Sequence, residues 1–483
     1  MKNRTEPTTR SAHNLLMPTY LTAGHLKTLP LWSALTTVLL HAGAPFRKLA
    51  LLLILLVSAA SCSGQNETSK NEPFENNWSQ WMGENRDATW NPGIQKDTLT
   101  PADLVKKWEV PVNPGYCGPT VYENRVYLMD YAGEDVKSER VLCFDAETGE
   151  ELWTHSYERP YSVGYPTGPR ASVLIAEGRA YALGTMGDLY CLDAQTGEVL
   201  WYVDGEKEYN ISFPTWGLSS SPLVENDLLI VQLGGTPSAC LVAFNKVTGE
   251  EVWRALPDEA SYSSPIVIDQ AGKRVLVCWT GDNLAGLNPG TGAVYWKIPY
   301  ESRKGVINIA MPVISWPYIF LSSFYDGSML VQLNEKTPAA SLVWKRTGES
   351  ERKTDALHCI MSTPLIQDGY VYGIDSYGEL RCLDLLTGDR IWTDSTLVPY
   401  GRWANAHFVT QNEKIWAFNE KGELILGTLS PENFRDLGRV ELVKPVRVSP
   451  NPRGGINWAH PAFAGKKIYA RSDALLVCWE LLK

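Results

Sequence analysis

Five times along the chain an Asp or Asn is followed by Thr-Gly at the third and fourth positions and by Trp at the eighth. The first copy is Asp145-Ala-Glu-Thr148-Gly149-Glu-Glu-Leu-Trp153; the others run Asp193 to Trp201, Asn245 to Trp253, Asn288 to Trp296 and Asp384 to Trp392. A degenerate sixth copy, Asn334 to Trp344, is two residues longer and lacks the Thr-Gly. An Asp or Asn side chain caps a tight turn, and Gly accepts the positive φ that such a turn needs. The residues before each turn, such as Leu142-Cys-Phe and Arg381-Cys-Leu, read as a strand, and those after it lead into a second strand ending in Trp. Each phrase is therefore a hairpin with a large aromatic at a fixed place.

Two further strands precede each hairpin. Around Thr363 the order is strand, Asp-Gly turn, strand, Tyr-Gly turn, strand, Thr-Gly turn, strand. Trp108, Trp153, Trp201, Trp253, Trp296, Trp344 and Trp392 fall 43 to 52 residues apart. Four-stranded units of that period predict a β-propeller. A seventh unit around Ile415 to Leu424 keeps its second turn but loses the Trp phrase, and an eighth, from Lys467, is one strand short. The orphan strand around Lys107-Trp108-Glu109 completes it. The prediction is an all-β fold: an eight-bladed β-propeller of four-stranded antiparallel blades, closed by the N-terminal strand. Its 39 Gly and 30 Pro suit the many turns, and 18 Trp and 22 Tyr against 11 Phe supply large aromatics with a polar handle.

Three segments follow. Residues 1–62 form a leader, 63–104 a tether with a Trp-rich arm, and 105–483 the propeller. Leu49 to Val57 is apolar, preceded by Arg47 and Lys48 and followed by small residues up to Cys62. Nine apolar residues suit a signal peptide and are too few to span a bilayer. Residues 1–46 fit no region of a signal peptide. The small residues before Cys62 resemble the bacterial lipobox, with Ala59 where that pattern usually has Leu. The resemblance implies lipidation at Cys62, an exported lipoprotein and, with Ser63 after the cysteine, an outer-membrane position facing the periplasm or the cell surface. The polar stretch after Cys62 suits a flexible tether, and deletion of 63–100 is expected to cost little stability.

The repeat resembles the PQQ-like repeat propeller family over about 400 residues, and Trp78-Ser-Gln-Trp81 is similar to the Trp-rich opening of its bacterial members. Two branches of that family set the functional expectations. The quinoprotein alcohol dehydrogenases carry an adjacent Cys-Cys pair and ligands for calcium, and some a Cys-x-x-Cys-His haem site. The lipoprotein of the β-barrel assembly machinery is a non-catalytic eight-bladed propeller. This chain has neither cysteine motif; its nine cysteines stand apart, and Cys143, Cys191 and Cys382 occupy one place in different blades. They read as small core residues, out of disulfide range of one another. No hydrolase, zinc-protease or P-loop motif is present. The net charge of −10 gives no basic footprint for nucleic acid.

The leading expectation is a non-catalytic, membrane-tethered propeller that binds a protein or polymer partner, with no cofactor and no metal. The alternative is a periplasmic oxidoreductase using PQQ with calcium, or a glycan-active enzyme. Binding residues concentrate in loops held on a rigid scaffold. The connections between blades converge on the channel mouth and carry Arg170, Trp216, His358, Arg402, Trp403, His407, Trp458 and His460. Aligning the inner strands places Gly118, Ser172, Ser221, Ser264, Met311, Thr363, His407 and His460 in one ring.

Overall fold

Each repeat turn is built by its first residue. Asp145 Oδ1 accepts the backbone N–H groups of Glu147 and Thr148, both at 2.8 Å, and the Thr148 hydroxyl. Gly149 then sits at φ +75°. Asp193 and Asn245 cap their turns in the same way, as does Asn334 in the degenerate copy. The glycine has a second reason to be there. A Cβ on Gly149 would lie 2.7 Å from the Trp108 ring, on Gly197 2.6 Å from Trp153, and on Gly249 2.7 Å from Trp201. Trp108, Trp153, Trp201 and Trp253 thus each lie against the turn glycine of the following blade. The indole N–H donates to a carbonyl there: Trp108 to Ala146, Trp153 to Ala194, Trp201 to Lys246, Trp253 to Pro289, Trp344 to Leu385. Where the next turn is degenerate, Gln270 adapts: its carbonyl oxygen takes the Trp296 N–H and its amide donates to Asn334 and Ala339 of that turn. Neighbouring blades are fastened by one repeated contact.

A computed structural model of the chain describes residues 77–165, 168–448 and 454–483. The leader, Cys62 and the tether up to residue 76 lie outside them. Eight four-stranded antiparallel sheets form the blades. In chain order the first seven span 120–158, 174–204, 223–255, 266–299, 313–346, 365–394 and 406–441. Blade eight takes three strands from Ala462–Ala464, Lys467–Arg471 and Leu475–Leu481, and its outermost strand is Leu104–Pro111. Leu104 pairs with Leu481 and Trp108 with Cys478, so the N-terminal strand closes the ring as the strand count predicts. Among the described residues the remaining regular elements are a one-turn helix, Gly205–Tyr209, a 3-10 turn, Pro101–Asp103, and a two-stranded ribbon between Arg447–Val448 and Gly455–Ile456. The eight described cysteines are buried thiols. No described helix is long and apolar enough to cross a membrane.

The arm corrects one expectation. From residue 77 to 99 it is packed into the propeller. Trp78, Trp90 and Leu99 are each at most 3% exposed and belong to the core between blades seven, eight, one and two. Trp78 bridges to Val121 of blade one, the Ser79 carbonyl accepts from Ile175 of blade two, and Thr89 bridges to Thr410 of blade seven. Arg86 reaches the opposite wall, where its guanidinium donates to the carbonyls of Pro222 and Pro265 and to Gln80. Burial pushes the Arg86 pKa down to about 9, still charged at neutral pH. These contacts lie beyond the ring residues on the inner strands, away from the mouth. The arm is the floor of the channel, and its deletion removes core.

Candidate functional site

Hydrogen bonds join much of the aligned ring. The backbone N–H of Gly118 donates to His460 Nε2, that of Ser172 to Ser221 Oγ, that of Ser221 to Ser264 Oγ, and that of Met311 to Thr363 Oγ1. Ser172 Oγ also bonds His460 Nε2 at 2.8 Å. Gly118 has no room for a side chain, since a Cβ there would lie 2.1 Å from the His460 carbonyl oxygen. Trp81, from the arm, fills the middle of the ring. Its N–H points at the Met311 sulfur, and its ring stands edge-on to His460 at 4.3 Å and to His407 at 6.3 Å between centroids.

Above this floor opens a cup of about 130 Å³. Its wall follows a simple rule. In an extended segment, side chains two residues apart share a face, and the residue two before the ring position lines the cup in seven of the eight blades: Tyr116, Arg170, Ser219, Tyr262, Ile309, Met361 and Trp458. The exception is blade seven, where Asn405 turns to Ser362 and His407, and Trp403 takes the place. Trp216 and Tyr165 complete the rim. Tyr165 lies 5.0 Å from Trp403 and 5.6 Å from Trp458, within the range of favourable tilted aromatic pairs. Trp403 (φ +66°) and Tyr165 (φ +72°) are both held in the left-handed region. For a bulky side chain this costs about 1–3 kcal/mol and tends to occur at functional sites.

Six of the eight sequence-predicted residues meet here: Arg170, Trp216, Trp403, His407, Trp458 and His460. The other two do not line the cup. His358 is fully buried; its Nδ1 bonds the Phe324 carbonyl, its Nε2 accepts from Gly348, and its backbone N–H donates to Asp375. Arg402 braces the site from behind. Its guanidinium is paired with Glu351 and lies 4.3 Å over the Trp403 ring. Sequence reasoning missed Trp81, Tyr116, Tyr165 and Tyr262. The two-residue offset from the ring would have found Tyr116 and Tyr262; Trp81 and Tyr165 carry no such signal.

The electrostatics of the cup are uneven. Arg170 lies over Tyr116 at 4.4 Å and donates to the Gly168 carbonyl at 2.6 Å. No carboxylate pairs with it among the described residues, and burial lowers its pKa. Arg447 stacks on the same Tyr116 at 3.7 Å, but Asp473 neutralises it. The indole N–H groups of Trp403 and Trp458 are buried and find no acceptor among the described residues.

Burial lowers the His407 pKa to about 4, against the opposing pull of the Trp458 carbonyl. His460 is lowered to about 3, by burial first and by His407 next, with the Pro461 carbonyl opposing. Geometry agrees, because a proton on His460 Nε2 would confront the Gly118 N–H. Both imidazoles are neutral at pH 7, and the described residues hold no cluster of three metal-ligating side chains. The unfolded chain takes up these protons near pH 6.5, the folded one only well below it, so stability falls as pH falls below about 6.5. Between pH 7 and 5 the wild type should lose on the order of 2 kcal/mol more than His460→Gln, read as the shift in urea midpoint. Equal losses would show that His460 titrates normally.

Comparison with known proteins places this architecture. A family model described as "Outer membrane protein assembly factor BamB" matches residues 137–394. The assembly factor of that name from Yersinia pestis is 25% identical over 241 residues, 47% of this chain and 58% of that one. The Burkholderia pseudomallei protein of the same name is 24% identical over 319 residues, 62% of this chain and 72% of that one. The chain thus spans about three fifths of the Yersinia relative's length. Among solved structures, BamB from Moraxella catarrhalis superposes with a TM-score of 0.52 at 14% identity, over 78% of this chain and 99% of that one. The quinohemoprotein alcohol dehydrogenase from Comamonas testosteroni superposes at 0.58 and 12% identity, over 84% and 80%. Both likenesses concern the fold. Among the described residues the cup offers one unpaired cation, Arg170, a poor match for a fused-ring quinone with several carboxylates.

Proposed function

We infer the role of this chain from its membership: it belongs to the outer membrane protein assembly factor BamB family, and we propose that it is an exported propeller serving outer-membrane protein assembly by holding a partner polypeptide at the cup. One observation carries this reading. All eight inter-blade connections send at least one side chain to the same small cup, and six of those side chains are Trp or Tyr. Tyr, Trp and Arg dominate the residues that anchor protein partners, and neutral histidines engaged with backbone groups support a rigid seat. Cys62 would tether the propeller to the membrane, which a palmitate analogue incorporated by the wild type and not by Cys62→Ser would establish.

Photo-crosslinkers placed at Trp216 and at Ile360 should capture a component of outer-membrane assembly in living cells. Trp403→Ala should lose that product while its melting temperature stays within a few degrees of wild type. A buried Trp anchor contributes roughly 2–4 kcal/mol, a loss of about 30- to 800-fold in affinity. If Trp403→Ala melts early and still crosslinks, the cup is a structural lid and the reading fails.

A further inference from the structure

The cup has a size and a charge that together describe its occupant. At about 130 Å³ it is close to the roughly 150 Å³ cavity that takes up a benzene ring. The rim rings pack on one another at 5.0 to 6.4 Å and together line the cup, an aromatic wall against which a further ring is favoured. Of the three guanidinium groups around the mouth, Arg447 is neutralised by Asp473 and Arg402 by Glu351. Arg170 alone of these three has no acid among the described residues, although it is desolvated against Tyr116. A desolvated cation without a partner is costly, and an anion brought from outside recovers that cost. Among the described residues the unpaired charge at the cup is positive, although the chain as a whole carries a net charge of −10.

We propose that the cup binds one aromatic side chain of a partner polypeptide that carries a carboxylate on an adjacent residue, the ring seated among Tyr165, Trp216, Trp403 and Trp458 and the carboxylate paired with Arg170. This rests on the reading of the mouth as a partner-binding face and adds what the partner must present there. Arg170 sets the specificity, and the aromatic rim supplies the apolar contact.

Capped tripeptides test it on the full chain, followed by tryptophan fluorescence and calorimetry. Glu-Phe-Glu should bind with a Kd below about 1 mM, and Gln-Phe-Gln and Glu-Ala-Glu at least about tenfold more weakly. Arg170→Gln should bring Glu-Phe-Glu down to the level of Gln-Phe-Gln and leave Gln-Phe-Gln unchanged, and Arg170→Lys should restore part of the difference. Melting curves of both variants show whether the fold is kept; if Arg170→Gln does not fold, the Arg170→Lys comparison and the wild-type preference decide. Equal binding of the three peptides, or equal weakening of the two Phe peptides by Arg170→Gln, overturns the proposal. So does tighter, Arg170-dependent binding of phenylacetate or of PQQ, which would give the cup to a small ligand. Absence of peptide binding with crosslinking at Trp216 intact removes this specificity and leaves the partner-binding reading standing; loss of both removes both.

Discussion

A chain lacking residues 77–99 should fail to accumulate as soluble protein, or should melt at least roughly 10 °C below the intact one. The segment buries Trp78, Trp90 and Leu99 almost completely. Fully burying each such side chain contributes about 1.5–3 kcal/mol. Its removal also uncovers what it packs on, including Phe463 and Trp416, and leaves the inner strands without the bridges at Val121 and Thr410. The total is on the order of 10 kcal/mol, comparable to the whole margin by which a domain is stable. Thermal melting followed by circular dichroism checks it. A truncated chain melting within about 2 °C of wild type would mean that the floor is an ornament of the fold.

Arg86→Ala should be the most damaging single substitution in that segment, at about 3–5 kcal/mol. The guanidinium crosses from one side of the channel to the carbonyls of Pro222 and Pro265 on the other. Truncation leaves two buried acceptors without donors and a void where the side chain ran. Arg86→Lys should recover only part, since an ammonium cannot reproduce the planar fork that serves Gln80 and both carbonyls. Urea denaturation gives the numbers. A loss below about 1 kcal/mol for Arg86→Ala would show that water replaces the guanidinium without cost.

The parts of this structure that were legible in the sequence are those governed by local chemistry repeated many times. An Asp that caps its own turn needs no distant partner, so the phrase ending in Trp153 could be read as a hairpin from nine residues. Closure by Trp108 followed from counting strands. The inner ring followed from aligning blades, because one scaffold places equivalent positions alike. The arm was opaque because its contacts are singular: Arg86 meets Pro265 across 179 residues of sequence, and nothing periodic announces it. His358 lies only five residues before ring residue Thr363, yet its connection folds back on itself, and the imidazole faces Gly348 and the Phe324 carbonyl. Arg402 was legible only as a neighbour of Trp403, because sequence shows that adjacency and hides the Glu351 with which the guanidinium pairs.

The pairing of Leu104–Pro111 with Leu475–Leu481 has a consequence in time. The two strands are separated by about 370 residues, so at roughly 5–20 residues per second the earlier strand exists for about 20–75 seconds before its partner is made. Throughout that interval its hydrogen-bonding edge is unsatisfied and open to any other strand nearby. Lys106, Lys107 and Glu109 give it charged side chains and Pro111 ends it, both of which discourage such pairing. The strand that seals the ring is thus also the one whose composition lets it wait.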